Sequence, residues 1–132
     1  MGAWGAGTFD NDDALDWLDD LVDGADDAIR DALQTALEST GADPLEAPDA
    51  SSALAAAEVV AAALGRPAAD LPGEVSDWLE ANGAKSAAAL APLARQAVER
   101  VRANSELRKL WEESDPGEWL AAVDDLLSRV PS

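Results

Sequence analysis

Apolar residues recur along this chain every three or four positions, in short runs punctuated by glycine and proline. Ala14, Trp17, Leu18, Leu21 and Val22 form the first stripe. It predicts an amphipathic helix starting at Asn11 or Asp12, with Asp10 or Asn11 as its N-cap and Gly24 ending or bending it. Ile29, Ala32, Leu33, Ala36 and Leu37 repeat the pattern and predict a second helix over about 26–39, closed by a left-handed Gly41. Residues 42–49 contain Pro44 and Pro48 and read as a connector. A third helix over about 50–64 is apolar nearly all round, with Glu58 interrupting the run from Ala53 to Leu64, and stops at Gly65 ahead of Pro67. A helix without a polar face belongs in the middle of a bundle.

The second half continues in the same manner. Pro72 suits the first position of a short fourth helix carrying Val75, Trp78 and Leu79, ended by Gly83. A fifth helix spans about 85–103, with Pro92 kinking it or shifting its start. Its inner stripe is Leu90, Leu93, Ala94, Ala97, Val98 and Val101, and Arg95, Arg100 and Arg102 face outward. Ser105 is placed to cap a sixth helix around Leu107, Leu110 and Trp111. Asp115-Pro116-Gly117-Glu118 is a capping box with proline at the first helical position, and it opens a seventh helix through Trp119, Leu120, Val123, Leu126 and Leu127. Nowhere does the strict alternation of a strand occur. The expected fold is all-α: a compact single-domain bundle of six to seven short helices over residues 1–132. The Gly/Trp-rich loop 1–10 is expected to be ordered and packed on the bundle, with Trp4 as a plug and Phe9 as a staple at the helix entrance.

Composition narrows the function classes. The 132 residues are enough for one core without staples. Thirty of them are alanine, so leucine, valine and the five tryptophans must supply most of the interior volume. The chain has no cysteine, histidine or tyrosine. That removes disulfides, thiolate metal sites, the usual general base and the commonest transition-metal ligand. The start lacks a basic segment followed by an apolar run, and no stretch has the eighteen or so apolar residues of a membrane span. The resulting expectation is a cytoplasmic bacterial protein that engages no membrane.

Charge is the strongest asymmetry. Of the formal −18, residues 1–49 carry −13, from fourteen acids against Arg30 alone. Such a field repels nucleic acid and attracts cations or a basic protein surface. The only constellation with chemical character lies inside it. Asp12-Asp13-Ala14-Leu15-Asp16 and Asp19-Asp20-Leu21-Val22-Asp23 each spell two acids, two spacers and an acid. On a helix the first and last of each set share a face, within reach of one divalent ion. Paired motifs of this form hold magnesium for diphosphate chemistry in prenyl-transfer enzymes, which bring them from facing helices together with cations for the phosphates. Here both copies lie on one helix. An EF-hand reading fails, because Ala14 and Leu15 stand where an oxygen donor and glycine are required. Acids in a first turn also simply complement the helix dipole, and the aspartates trace the polar face such a helix must have. Asp19, Asp20 and Asp23 do not fit that account. They stand near the C-terminal end, where negative charge is unfavourable and an external cation, a basic partner or arginines of the fifth helix would offset it.

Trp17, Trp78, Trp111 and Trp119 each sit on an apolar stripe and are expected to pack in the core. The N-terminal Met1-Gly2-Ala3-Trp4-Gly5, followed by Phe9-Asp10-Asn11-Asp12-Asp13-Ala14 and Asp16-Trp17, resembles the bacterial family known as domain of unknown function 4259. Ala57-Glu58-Val59-Val60-Ala61-Ala62 and the run from Ser105 to Ser114 resemble it as well. The resemblance covers essentially the whole chain. It implies a small bacterial protein and carries over no activity and no catalytic residue.

The functional expectation is a non-enzymatic binding protein without a cofactor. Its acidic N-terminal helices, through Asp12, Asp16, Asp19, Asp20, Asp23 and Asp27, engage a basic protein partner in the manner of immunity proteins and antitoxins. The competing reading is a divalent-cation site for magnesium or calcium on Asp10, Asp12, Asp13 and Asp16, structural or phosphohydrolytic. The chain is expected to be a monomer, or a homodimer joined through an exposed part of the third or the C-terminal helix.

Overall fold

The computed structural model describes residues 12–22, 28–38, 46–66, 73–82, 85–103, 105–113 and 116–130. Among them are eight α-helices and no β-strand: α1 (Asp12–Val22), α2 (Ala28–Glu38), α3 (Ala47–Ala63), α4 (Gly73–Asn82), α5 (Lys85–Ala88), α6 (Ala91–Ala103), α7 (Glu106–Glu112) and α8 (Pro116–Arg129). The expected loop 1–10, its Trp4 and Phe9, and connector residues 42–45 lie outside the described residues.

The all-round apolar helix is indeed the hub. Each of the other seven helices touches α3, with α2 and α6 making the broadest contacts. Residues 49–64 include no exposed position. Ala53, Ala55, Ala56, Ala57 and Ala61 are all fully buried. Alanine side chains present almost no ridge, so neighbouring helix axes can approach to the short end of the usual 8–10 Å range. The bulk of the interior comes instead from Val59 and Val60 and from Leu18, Leu21, Leu33, Val75, Val98, Val101, Leu126 and Val130 around them.

Two boundaries differ from expectation because of proline. Helix α3 starts at Ala47, so residues 47–49 of the expected connector are helical, with Pro48 inside the first turn. Proline belongs there without penalty, since the amides of a first turn have no intrahelical acceptor to lose. Pro92 does more than kink the expected fifth helix. It sits at the second position of α6, and the segment divides into α5 and α6 with a turn at Ala89 and Leu90. That division makes eight helices of the six to seven expected.

Core membership largely follows the stripes, with instructive exceptions. Ala14, Trp17, Leu18 and Leu21 are buried, whereas Val22 in the last turn of α1 is 49 % exposed. Trp17 and Trp119 are buried, but Trp78 and Trp111 are only half-buried on outer helices. The Trp17 indole donates from Nε1 to the carbonyl of Ala28 at 3.3 Å, tying α1 to the first residue of α2. Arg95, Arg100 and Arg102 are half-buried instead of facing fully outward. Arg95 and Arg102 lean across to α8.

The exit from α3 is a Schellman turn. The Arg66 amide donates to the Ala61 carbonyl at 2.9 Å, and the Gly65 amide to that of Ala62 at 3.0 Å, with Gly65 at φ 84°. An added Cβ at Gly65 would meet nothing within 4 Å. Gly65→Ala therefore tests backbone strain alone, and it should lower unfolding free energy by about 1–2 kcal/mol in a denaturant titration. Leu33→Ala, which empties a fully buried position in α2, should cost about 2–5 kcal/mol by the same measurement.

Candidate functional site

Burying Ala14, Trp17, Leu18 and Leu21 against α2, α3 and α4 turns the opposite side of α1 to solvent. Asp16, Asp19 and Asp20 stand on that side and are exposed. Spacings of three and four residues make Asp16 a direct neighbour of both others, so the three carboxylates repel one another. Asp12 and Asp13 occupy the first turn of α1, but their side chains lie outside the description. Asp10, Asp23 and Asp27 lie outside the described residues altogether. No group of three or more acids among the described residues is arranged to hold a metal ion.

The decisive question is where the cations go. Every ion pair among the described residues falls between positions 58 and 129. Arg102 pairs with Asp124 at 2.6 Å, Arg108 with Glu112 at 2.7 Å, and Arg95 with Glu99 at 3.9 Å. Arg95 also donates from Nη1 to the carbonyls of Leu127 and Val130, at 3.0 and 3.4 Å, closing the C-terminal end of α8. Arg95 and Arg102 are thus engaged by α8 and leave the α1 carboxylates alone. The last turn of α1 carries no basic residue of its own.

The acidic side extends further than the sequence pattern indicated. Helix α4 packs beside α1 and exposes Glu74, Asp77 and Glu80, again without lysine or arginine. Nothing in the local pattern could have joined these acids to those of α1, because the two helices are about fifty residues apart in the chain. Only the tertiary contact does so.

A second polar cluster went unnoticed as such in the sequence. Glu58, which interrupts the apolar run of α3, is buried, and its two oxygens accept from Nη1 and Nη2 of Arg129 at 2.6 and 3.3 Å. Arg129 also donates from Nε to Asp125 at 2.9 Å and from Nη1 to the Arg66 carbonyl at 3.3 Å. Burial works to lower the affinity of the guanidinium for its proton. The hydrogen bond and charge of Glu58, joined by Asp125, outweigh that and hold Arg129 above its usual range. A raised arginine value contributes stability at all lower pH and loses it only far into alkali, so the pair keeps its cation throughout the physiological range. The available signal was the oddity itself: a lone acid in an apolar helix needs a cation brought from elsewhere.

The family model for a domain of unknown function, DUF4259, matches residues 2–122. The chain belongs to this family. No curated protein and no solved structure gives a match. The DUF4259 match takes in α1, α4 and Glu58, while Asp124, Asp125 and Arg129 lie beyond it. Among the described residues of this DUF4259 chain, no helix is long and apolar enough to cross a membrane.

Repulsion on α1 has a measurable sign. Replacing Asp19 and Asp20 together by asparagine removes negative charge from the unfavourable end of the helix. It should raise stability by roughly 0.3–1 kcal/mol per site at low salt, read as a higher denaturation midpoint. Added sodium chloride should shrink the difference.

Proposed function

We propose that this DUF4259 protein is a non-enzymatic binding protein whose acidic N-terminal helices engage a basic surface of another protein, in the way immunity proteins and antitoxins do. One observation carries the reading. Asp16, Asp19 and Asp20 are exposed and pair with no described cation, while Arg95, Arg102, Arg108 and Arg129 are engaged elsewhere in the bundle. Carboxylates that destabilise their own helix are a cost to the fold, and a complementary partner removes that cost on binding. Acids on α4 beside α1 broaden the same field. Absence of histidine, cysteine and tyrosine from the chain agrees with a role in recognition.

Rim charges act chiefly on association rate and salt dependence. Capture of partners from a lysate of the native host at about 0.1 M and about 1 M salt should therefore yield a basic protein at the lower concentration only. An Asp16→Asn, Asp19→Asn, Asp20→Asn variant should bind that protein at least about tenfold more weakly, mostly through slower association, while keeping its helical circular dichroism. Saturable calorimetric binding of magnesium, calcium or manganese below millimolar ion, abolished in Asp12→Asn, Asp16→Asn, would replace this reading with the divalent-cation one.

A further inference from the structure

The proposed binding face leaves one buried charge without a role. Glu58 sits in the C-terminal half of α3, the helix that touches all the other described helices, and its side chain is 6 % exposed. Arg129, in the last turn of α8, is the only described cation on it. Helix α8 packs on α3, α6 and α7 through one stripe, Trp119, Val123, Leu126 and Val130, and exposes Ala121, Asp124, Asp125 and Ser128 on its other side. It is an outer element, whereas α2, α3 and α6 pack mutually and α1 packs on α2 and α3.

We propose that α8 is a strap, held in register by the Arg129–Glu58 pair, which lifts from the bundle as a unit while α1, α2, α3 and α6 stay folded. The argument rests on an asymmetry of the buried carboxylate. With α8 docked, Glu58 is dry and depends on Arg129. With α8 lifted, water reaches the carboxylate and the dependence ends. Loss of the arginine therefore penalises docking of α8 and leaves the remaining core nearly untouched. The other polar ties of α8 include no buried ion pair. Arg102–Asp124 is exposed at both ends, and exposed pairs contribute little. Arg95 donates to the carbonyls of Leu127 and Val130 at the C-terminal end of α8, but those neutral acceptors strand no buried charge when the helix lifts. Helix α7 has its own anchorage on α6. Ser105 Oγ donates to the Val101 carbonyl at 2.7 Å, and Arg108 Nη1 donates to that of Arg102, also at 2.7 Å.

Native-state hydrogen exchange of the full chain at graded denaturant tests this. Amides of residues 120–127 should open together at a lower denaturant concentration than those of Leu33, Val60 and Val98. Exchange of α8 only through global unfolding would overturn the strap. In Arg129→Met the same α8 amides should exchange roughly a hundred- to a thousand-fold faster, with those of α3 and α6 little changed. Glu58→Met combined with Arg129→Met should restore α8 protection, because an apolar pair needs no counter-charge. Unchanged α8 protection in Arg129→Met, an equal loss across all helices, or no recovery in the double variant would each refute the proposal.

Discussion

Everything in this fold is arranged around a helix with no outside. Helix α3 is covered from Ala50 to Ala61 except at Ser52, and a helix can be surrounded on all sides only if its side chains are small enough for several neighbours to come close. Alanine meets that condition and favours the helix intrinsically. It also buries little apolar surface per residue, about one methyl group's worth each. The surrounding helices must then bring the leucines, valines and tryptophans, which is why α1, α2, α6 and α8 each carry a single strong apolar stripe. Seven neighbours on one 17-residue helix also force the chain to turn often. The Schellman turn at Gly65 and the serine cap at Ser105 are where those reversals are stabilised locally.

That geometry divides the charge. Among the described residues, Arg95, Arg102, Arg108 and Arg129 make ion pairs from α6, α7 and α8, and their acid partners lie on α3, α6, α7 and α8. Helices α1 and α4 have no lysine or arginine at all, and the charged side chains they are seen to expose are all carboxylates. A uniformly distributed excess of acid would serve solubility equally well from any face. Concentrating it on two adjacent helices costs local stability, and among the described residues no cation pairs with Asp16, Asp19 or Asp20 to offset it.

The helical architecture and the central place of α3 could be read from periodicity alone, since a stripe or its absence is a local property. Ser105 was legible for the same reason, and its hydroxyl does accept from the Arg108 amide. Proline effects were half legible. The chemistry of Pro48 and Pro92 predicts a boundary near each, but whether the residue ends one helix or begins the next depends on what the flanking turn packs against. Val22 was misplaced because a stripe gives the direction of burial and not the edge of the neighbouring helix, and for the same reason Trp78 and Trp111 pack against the core yet stay half-buried. In the acidic face, Asp16, Asp19 and Asp20 followed from the pattern of α1, whereas Glu74, Asp77 and Glu80 joined them only through packing between distant segments.

Glu58 poses the sharper physical question, because a buried ion pair is seldom better for stability than two apolar residues of the same volume. The alanine surface of α3 supplies an answer. A face of methyl groups offers shallow ridges, so a helix lying on it is poorly constrained in its axial position. A carboxylate bound by two guanidinium nitrogens fixes that position, since moving either partner by one turn separates them by about 5.4 Å and strands both charges. The pair thus converts a smooth contact into one with a single position, and it does so where the shape of the alanine surface is least able to. The smallness that lets α3 serve as a hub also removes its power to locate its neighbours, and one buried acid restores that power for the last helix.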